Sequence, residues 1–159
     1  MLKIYVKKGY YLKPSLGDKL IITVPFKDIN RVTLSGSGDI YGSDTIKATE
    51  FVTGVSGSGD VKLVVDAQNV KGQVSGSGDL TIKGTADSFT AGVSGSGDIA
   101  AYDLKAKNAS VKVTGSGDIE LTATSSLTAR VSGSGDIYYK GNPEKEDKRV
   151  SGSGDITKR

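Results

Sequence analysis

One five-residue motif recurs along the sequence at a nearly constant spacing. Ser-Gly-Ser-Gly-Asp occurs six times, and a seventh copy begins with Thr114 in place of the first serine. Successive copies start 21, 19, 19, 20, 18 and 19 residues apart. A flexible Gly/Ser linker has no reason to recur at a fixed spacing. The motif therefore predicts a repeat architecture in which each copy belongs to one structural unit.

Apolar residues alternate with polar ones on both sides of each motif. An aliphatic residue stands directly before every copy (Leu34, Val55, Val74, Val93, Val113, Val131, Val150) and directly after it (Ile40, Val61, Leu80, Ile99, Ile119, Ile137, Ile156). This period of two predicts strands with one buried face. Helix is excluded, because the period is wrong and each glycine would cost a helix about 1 kcal/mol.

The same phase predicts which side chains point inward. Two and four residues before the aliphatic residue, the inward positions are Phe51, Thr53, Val70, Gly72, Phe89, Ala91, Ala109, Val111, Leu127 and Ala129. After the motif aspartate they are Leu63, Ile82, Ala101, Leu121 and Tyr139. A third apolar contact is expected from Ala48, Ala67, Ala86 and Ala106.

A unit of about 19 residues with two or three short strands cannot bury its own apolar face. Stacking such units in parallel buries one continuous core, and parallel crossovers are nearly always right-handed. We therefore predict an all-β fold, a right-handed parallel β-helix (β-solenoid) with about 19–20 residues per coil and seven motif copies. The alternative is a β-sandwich or antiparallel roll, but this requires hairpin turns between the strands.

We expect residues 1–159 to form one β-solenoid domain, with N-terminal strands and a loop in 1–34, regular repeats in 35–140 and an irregular last coil in 141–159. The expected N-terminal strands contain Leu2, Ile4 and Val6, then Leu20, Ile22 and Val24, separated by a polar loop from Gly9 to Lys19 with Tyr10, Tyr11 and Pro14. In the last coil Glu146 and Lys148 occupy inward positions. Polar residues there are expected to protect the exposed edge of the stack.

Composition excludes several classes of function. The chain has no Cys and no His, so it can form no disulfide, no zinc site of the usual ligands and no thiol or imidazole catalytic centre. A net charge of +3 is too small to indicate a nucleic-acid partner. No apolar run approaches the ~20 residues of a membrane span. The sequence predicts no cofactor.

In strand phase, the glycines of each motif point inward and the two serines and the aspartate point outward. Stacked coils would then align seven carboxylates, which we call the aspartate ladder: Asp39, Asp60, Asp79, Asp98, Asp118, Asp136 and Asp155. The favoured interpretation is structural, with each carboxylate accepting hydrogen bonds from backbone N–H groups. Calcium binding is the competing hypothesis, since calcium prefers oxygen ligands, but one aspartate per coil would force each ion to bridge coils. We expect folding to be independent of calcium.

Catalysis is a third hypothesis, because polysaccharide lyases and pectin hydrolases often use β-helices. Glycoside hydrolysis needs two carboxylates in unlike surroundings, whereas the ladder repeats the same surroundings.

Without the seven motif aspartates, the chain has 21 positive residues and 11 negative ones. The main interpretation of this excess of positive charge is that it keeps the protein soluble. A weaker hypothesis is that it attracts the protein to an anionic polysaccharide or to lipid headgroups.

The recurring Val-Ser-Gly-Ser-Gly-Asp-Ile, the Val24-Pro25-Phe26 segment and the closing Gly141-Asn142-Pro143 followed by Val150-Ser-Gly-Ser-Gly-Asp-Ile-Thr-Lys resemble one bacterial family across essentially the whole chain. This is the putative auto-transporter adhesin, head GIN domain family. The resemblance implies a right-handed β-helix exported to the periplasm or cell surface, and adhesion by name only. It implies no particular catalytic or binding residue. Members usually have a signal and further strands upstream of the Leu2–Val6 element.

We therefore predict a non-catalytic, exported β-solenoid that serves as a cell-surface adhesion or structural module. Its partner would be a surface polysaccharide or a protein. The alternative is a carbohydrate-active β-helix of the pectinase or polysaccharide-lyase type, or a polysaccharide-binding module. Because an alternating strand follows Met1 directly, we also expect either a truncated domain or a homodimer through the N-terminal end, which light scattering would test.

Overall fold

The computed structural model describes residues 1–11 and 20–159, and in these residues all regular structure is β-strand. The strands are β1 (Arg31–Gly36), β2 (Ile40–Gly57), β3 (Val61–Gly76), β4 (Leu80–Gly95), β5 (Ile99–Gly115), β6 (Ile119–Gly133), β7 (Ile137–Lys140), β8 (Lys145–Gly152) and β9 (Ile156–Lys158). Each central coil is one long strand of 15 to 18 residues, which bends around the core. The prediction of two or three short strands per coil was therefore wrong, because backbone pairing continues around the bends.

Every strand pairs in parallel with its counterpart in the next coil, in the order β1-β2-β3-β4-β5-β6-β7-β9, with β8 paired to β6. The motif copies lie in register, as in the column Ser56, Ser75, Ser94, Thr114 and Ser132. The predicted parallel β-solenoid is confirmed, and the antiparallel alternative is wrong. The right-handed winding and the assignment of 1–159 to a single domain stay predictions.

The core lies inside the coils and consists mostly of the residues that the alternation predicted. Val61, Leu80, Ile99, Ile119 and Ile137 are fully buried in one column, and Phe51 and Phe89 are buried in another. Ala67, Ala86 and Ala106 are buried as predicted, while Ala48 is half-buried.

One further core column was not predicted from the sequence. Ile46 aligns with Val65, Gly84 and Leu104, and the three large side chains are buried. Register shifts between the preceding motif and this column change its distance from that motif between coils. The column lies a constant ten residues before the first residue of the following motif, but the alternation changes phase in between, where adjacent residues such as Gln68 and Asn69 are both exposed. The alternation before the motif therefore does not extend to this column.

The first glycine of six of the seven motifs is required by the close approach of stacked turns, whereas a Cβ atom at Gly36, in the first coil, would contact no other residue. Gly76 has φ of +124°, a conformation that is strained for residues with a Cβ atom. A Cβ at Gly76 would also collide with the backbone carbonyl oxygen of Gly57 in the preceding coil. That oxygen accepts hydrogen bonds from the N–H groups of Ser77 (2.9 Å) and Gly78 (3.0 Å). The turn therefore cannot move away without breaking the bonds that stack the coils.

We predict that Gly76→Ala destabilises the protein by about 2 kcal/mol or more, since it adds both backbone strain and a clash with paired backbone. Ser77→Ala in the same exposed turn is the matched control and should change the stability by less than about 0.5 kcal/mol. Urea unfolding followed by circular dichroism measures both. Equal midpoints for the two variants would contradict this account of the motif.

The described part of the N-terminal segment lacks the two predicted strands. Leu2, Ile4 and Val6 are 68%, 56% and 47% exposed, and Leu20, Ile22 and Val24 are exposed as well. Neither alternating segment gains a strand partner in the described residues, where β1 pairs with β2 alone. Tyr10 and Tyr11 are exposed, while most of the predicted polar loop, including Pro14, lies outside the described residues.

The C-terminal end of the stack has the polar cover that the sequence predicted. Glu146 and Lys148 lie above Leu127 and Ala129, where the core column ends. The Lys148 ammonium is 2.6 Å from Glu146 Oε2 and donates to the Tyr139 hydroxyl at 3.0 Å. Tyr139 in turn donates to Glu146 at 3.1 Å. We call Tyr139, Glu146 and Lys148 the polar cap.

The polar cap gives the protein a defined acid sensitivity. The hydrogen bond from Lys148 holds the pKa of Glu146 below its usual value, despite an opposing effect of desolvation. A carboxylate whose pKa is lowered on folding stabilises the native state above its unfolded pKa, and this contribution disappears as the pH falls through the folded value.

We therefore predict that the stability difference between the native protein and Glu146→Gln narrows as the pH falls from 7 to 3. Chemical denaturation at several pH values measures this difference, and Glu144→Gln, at an exposed position two residues away, provides the control. A constant difference across this range would show that the ionised Glu146 does not stabilise the cap.

Candidate functional site

The aspartate ladder is held together by hydrogen bonds from one coil to the next. Oδ1 of each of the first six aspartates accepts the backbone N–H of the following ladder residue. The N···O distances, in order from the Asp39–Asp60 pair to the Asp136–Asp155 pair, are 3.1, 3.2, 3.0, 2.7, 2.7 and 2.8 Å. The sequence predicted backbone donors for these carboxylates, and the structure shows that the donors come from the next coil.

This arrangement restricts what the ladder can bind. One carboxylate oxygen of Asp39, Asp60, Asp79, Asp98, Asp118 and Asp136 is used within the fold. Asp136 also accepts the Tyr138 hydroxyl at 2.8 Å through Oδ2, and this bond raises the pKa of Tyr138. Across residues 1–11 and 20–159, no three acidic side chains come together around a point that could hold a metal ion. The ladder places its carboxylates in a line, whereas calcium needs six to eight oxygens around one centre.

We predict that Asp98→Ala destabilises the protein by about 1 kcal/mol, because it removes the acceptor for the Asp118 N–H. Asp98→Asn keeps an acceptor oxygen and removes one charge of the ladder, so its stability should stay near that of the native protein. Thermal unfolding measures both variants.

We also predict that the native protein unfolds at the same midpoint temperature in EDTA and in millimolar calcium. A large rise of the midpoint with calcium would establish a specific ion site.

A shallow trough of about 690 Å³ runs along the solenoid axis across β2 to β6. Its floor is the column Ala48, Ala67, Ala86 and Ala106, which are aligned in register. One wall is the neighbouring column Lys47, Asp66, Thr85 and Lys105, and the other is formed by Thr49, Gln68, Asp87, Lys107 and Thr124. We call this feature the axial trough.

The charges of the axial trough do not cancel. Asp66 accepts the Thr85 hydroxyl at 2.6 Å, and Asp87 pairs with Lys107 at 2.7 Å. The latter contact raises the pKa of Lys107, chiefly through its hydrogen bond. Lys47 and Lys105 form no ion pair with the described residues. The trough therefore combines two engaged carboxylates with two cations that are available to an anionic group.

Aromatic rings and cations occupy the flat face near the C-terminal coils. Lys140 lies 4.1 Å from the centre of the Tyr102 ring, and Arg159 lies 4.4 Å from that of Tyr138. Burial and then Glu120 raise the pKa of Tyr102. Because a cation covers one side of each ring, these tyrosines strengthen contacts between coils.

The axial trough was not predicted from the sequence. The alanine column was predicted as a core contact, and Ala67, Ala86 and Ala106 are buried as expected. Lys47 and Lys105 both stand nine residues before the following motif, so the sequence aligns them, but only the structure shows that their column and a second outward column flank a shallow trough. In the described part of the chain, no helix is long and apolar enough to cross a bilayer.

The fold and the repeated motif define a class of proteins, the parallel β-solenoids built from coils of about 19 residues. Within this class, the chain belongs to the family described as "Putative auto-transporter adhesin, head GIN domain", whose model matches residues 1–143. No curated protein matches the chain.

Solved bacterial structures share the fold. The chain is similar to a putative adhesin from Bacteroides fragilis, with 30% identity, a TM-score of 0.77, and coverage of 82% of this chain and 61% of that one. A protein from Parabacteroides distasonis described as a putative lipid binding protein gives 34% identity, a TM-score of 0.79, and coverage of 83% and 55%. A putative adhesin from the same species gives 30% identity, a TM-score of 0.72, and coverage of 81% and 58%. The chain thus spans less than two thirds of the length of each.

Proposed function

We propose that this protein is a non-catalytic binding module of the bacterial cell surface or periplasm, with a surface polysaccharide as its ligand. The observation that supports this function most directly is the uniformity of the ladder. Six of its carboxylates make the same hydrogen bond to the next coil. A general acid and a general base need different pKa values, and two carboxylates acquire these only in different surroundings. Repetition of one arrangement instead suits a ligand that is itself a repeating chain.

Membership of the adhesin family supports a location outside the cytoplasm. A long, regular wall with polar rows and a shallow trough is suited to an extended ligand, whereas small molecules favour enclosed pockets. A homodimer through the N-terminal end stays a prediction.

A lipid surface is the second candidate ligand. One structural relative is described as a putative lipid binding protein. In this chain, exposed apolar side chains are concentrated at the N-terminal end, including Leu2, Ile4, Leu20 and Ile22. Apolar side chains of this kind can insert between headgroups.

The test incubates the purified protein with a panel of bacterial and plant polysaccharides and measures both binding and degradation. We expect retention on immobilised polysaccharide without release of reducing or unsaturated sugars. Asp118→Asn/Asp136→Asn is the control, since sugar release that disappears in this variant would establish catalysis by the ladder and refute the proposal. Sedimentation with phosphatidylcholine–phosphatidylglycerol vesicles, lost in Ile4→Lys/Ile22→Lys, would favour the lipid candidate.

A further inference from the structure

We propose that the axial trough binds a linear acidic polysaccharide whose chain lies along the solenoid axis, with successive sugars matched to successive coils. This inference rests on the proposed binding function and assigns it a site and a ligand class. It depends on three properties of the trough, namely its direction, its lining and its net charge.

The direction of the trough fits an extended chain. Its floor of four alanines crosses four coils, which are stacked about 4.8 Å apart. This spacing is close to the length of one pyranose unit in an extended polysaccharide. Each sugar could therefore meet an equivalent set of groups, and a chain of three or four sugars would span the floor.

The lining of the trough fits a sugar chain. The floor is strand backbone: the methyl groups of Ala67, Ala86 and Ala106 are buried in the core, so no long side chain rises from the floor and a flat pyranose ring can lie between the two walls. The walls offer donors and acceptors side by side, such as the Gln68 amide and the hydroxyls of Thr49 and Thr85. Directional polar groups of this kind fix the orientation of a bound ligand.

The charge of the trough favours carboxylate-bearing sugars. Lys47 and Lys105 occupy the same wall column, three coils apart, which corresponds to about 14 Å. Asp66 and Asp87 are already engaged by Thr85 and Lys107. An acidic chain can therefore place its carboxylates near the two lysines. Asp87 remains paired with Lys107, and although Asp66 keeps its charge, the three lysines of the trough outnumber its two aspartates.

The experiment measures binding to polygalacturonate and to its fully methyl-esterified form, which has the same backbone without the charge. Biolayer interferometry compares the native protein, Lys47→Gln/Lys105→Gln and the matched control Lys62→Gln/Lys112→Gln. The control removes the same charge from exposed lysines outside the trough. We expect the acidic polymer to bind more tightly than the ester. The trough variant should weaken this binding about fivefold or more, and the control should change it less than twofold. Thermal unfolding verifies that the variants are folded.

Three outcomes would overturn the inference. Equal weakening by both double variants would mean that the lysines act only through net charge, and the binding function would stand. Equal binding of the acidic polymer and its ester would exclude recognition of the carboxylates. Absence of binding to either polymer, with retention on other members of the polysaccharide panel, would reject the acidic ligand and leave the function intact. Absence of binding to every polysaccharide would reject both.

Discussion

The fold depends on the contact between stacked turns of the motif. At each turn two successive N–H groups of one coil donate to a glycine carbonyl of the coil before it, as Ser77 and Gly78 do to Gly57. This contact brings the backbones so close that a side chain at Gly76 has no room. The register set there extends along each strand and determines which side chains share a column. The buried apolar columns, the ladder and the trough all follow from it.

In the aspartate ladder, hydrogen bonds between coils offset the repulsion between neighbouring carboxylates. Two carboxylates about 4.8 Å apart repel each other by about 0.9 kcal/mol in water before salt screening. Each of six ladder carboxylates also accepts a backbone N–H from the next coil, and charge-assisted hydrogen bonds are stronger than neutral ones. The repeated aspartate thereby contributes to stacking and satisfies a backbone donor at the turn.

The sequence predicts the repeat, the parallel stacking and most of the core, because alternation around Val55 or Val74 directly reports burial. Prediction from the sequence fails where tertiary contacts, and not the local alternation, decide whether a residue is buried or paired. Leu2 and Ile4 alternate like strand residues but have no strand partner in the described chain. Leu104 is buried although the alternation does not identify it, since a register shift precedes it and two adjacent exposed residues, Lys107 and Asn108, follow before the alternation resumes. The axial trough is less predictable still, because Lys47 and Lys105 are 58 positions apart and the stacking places them on one wall, three coils from each other.

The ladder hydrogen bonds all run in one sense along the stack, since each carboxylate binds the N–H of the coil that follows it. Each interior coil therefore presents the same acceptors on one side and the same donors on the other. Insertion or deletion of a whole coil between two such neighbours would recreate the interface that it interrupts. Tandem duplication of about 19 residues is thus a mutation that this architecture can tolerate, and the number of coils can change during evolution while the turn chemistry stays the same.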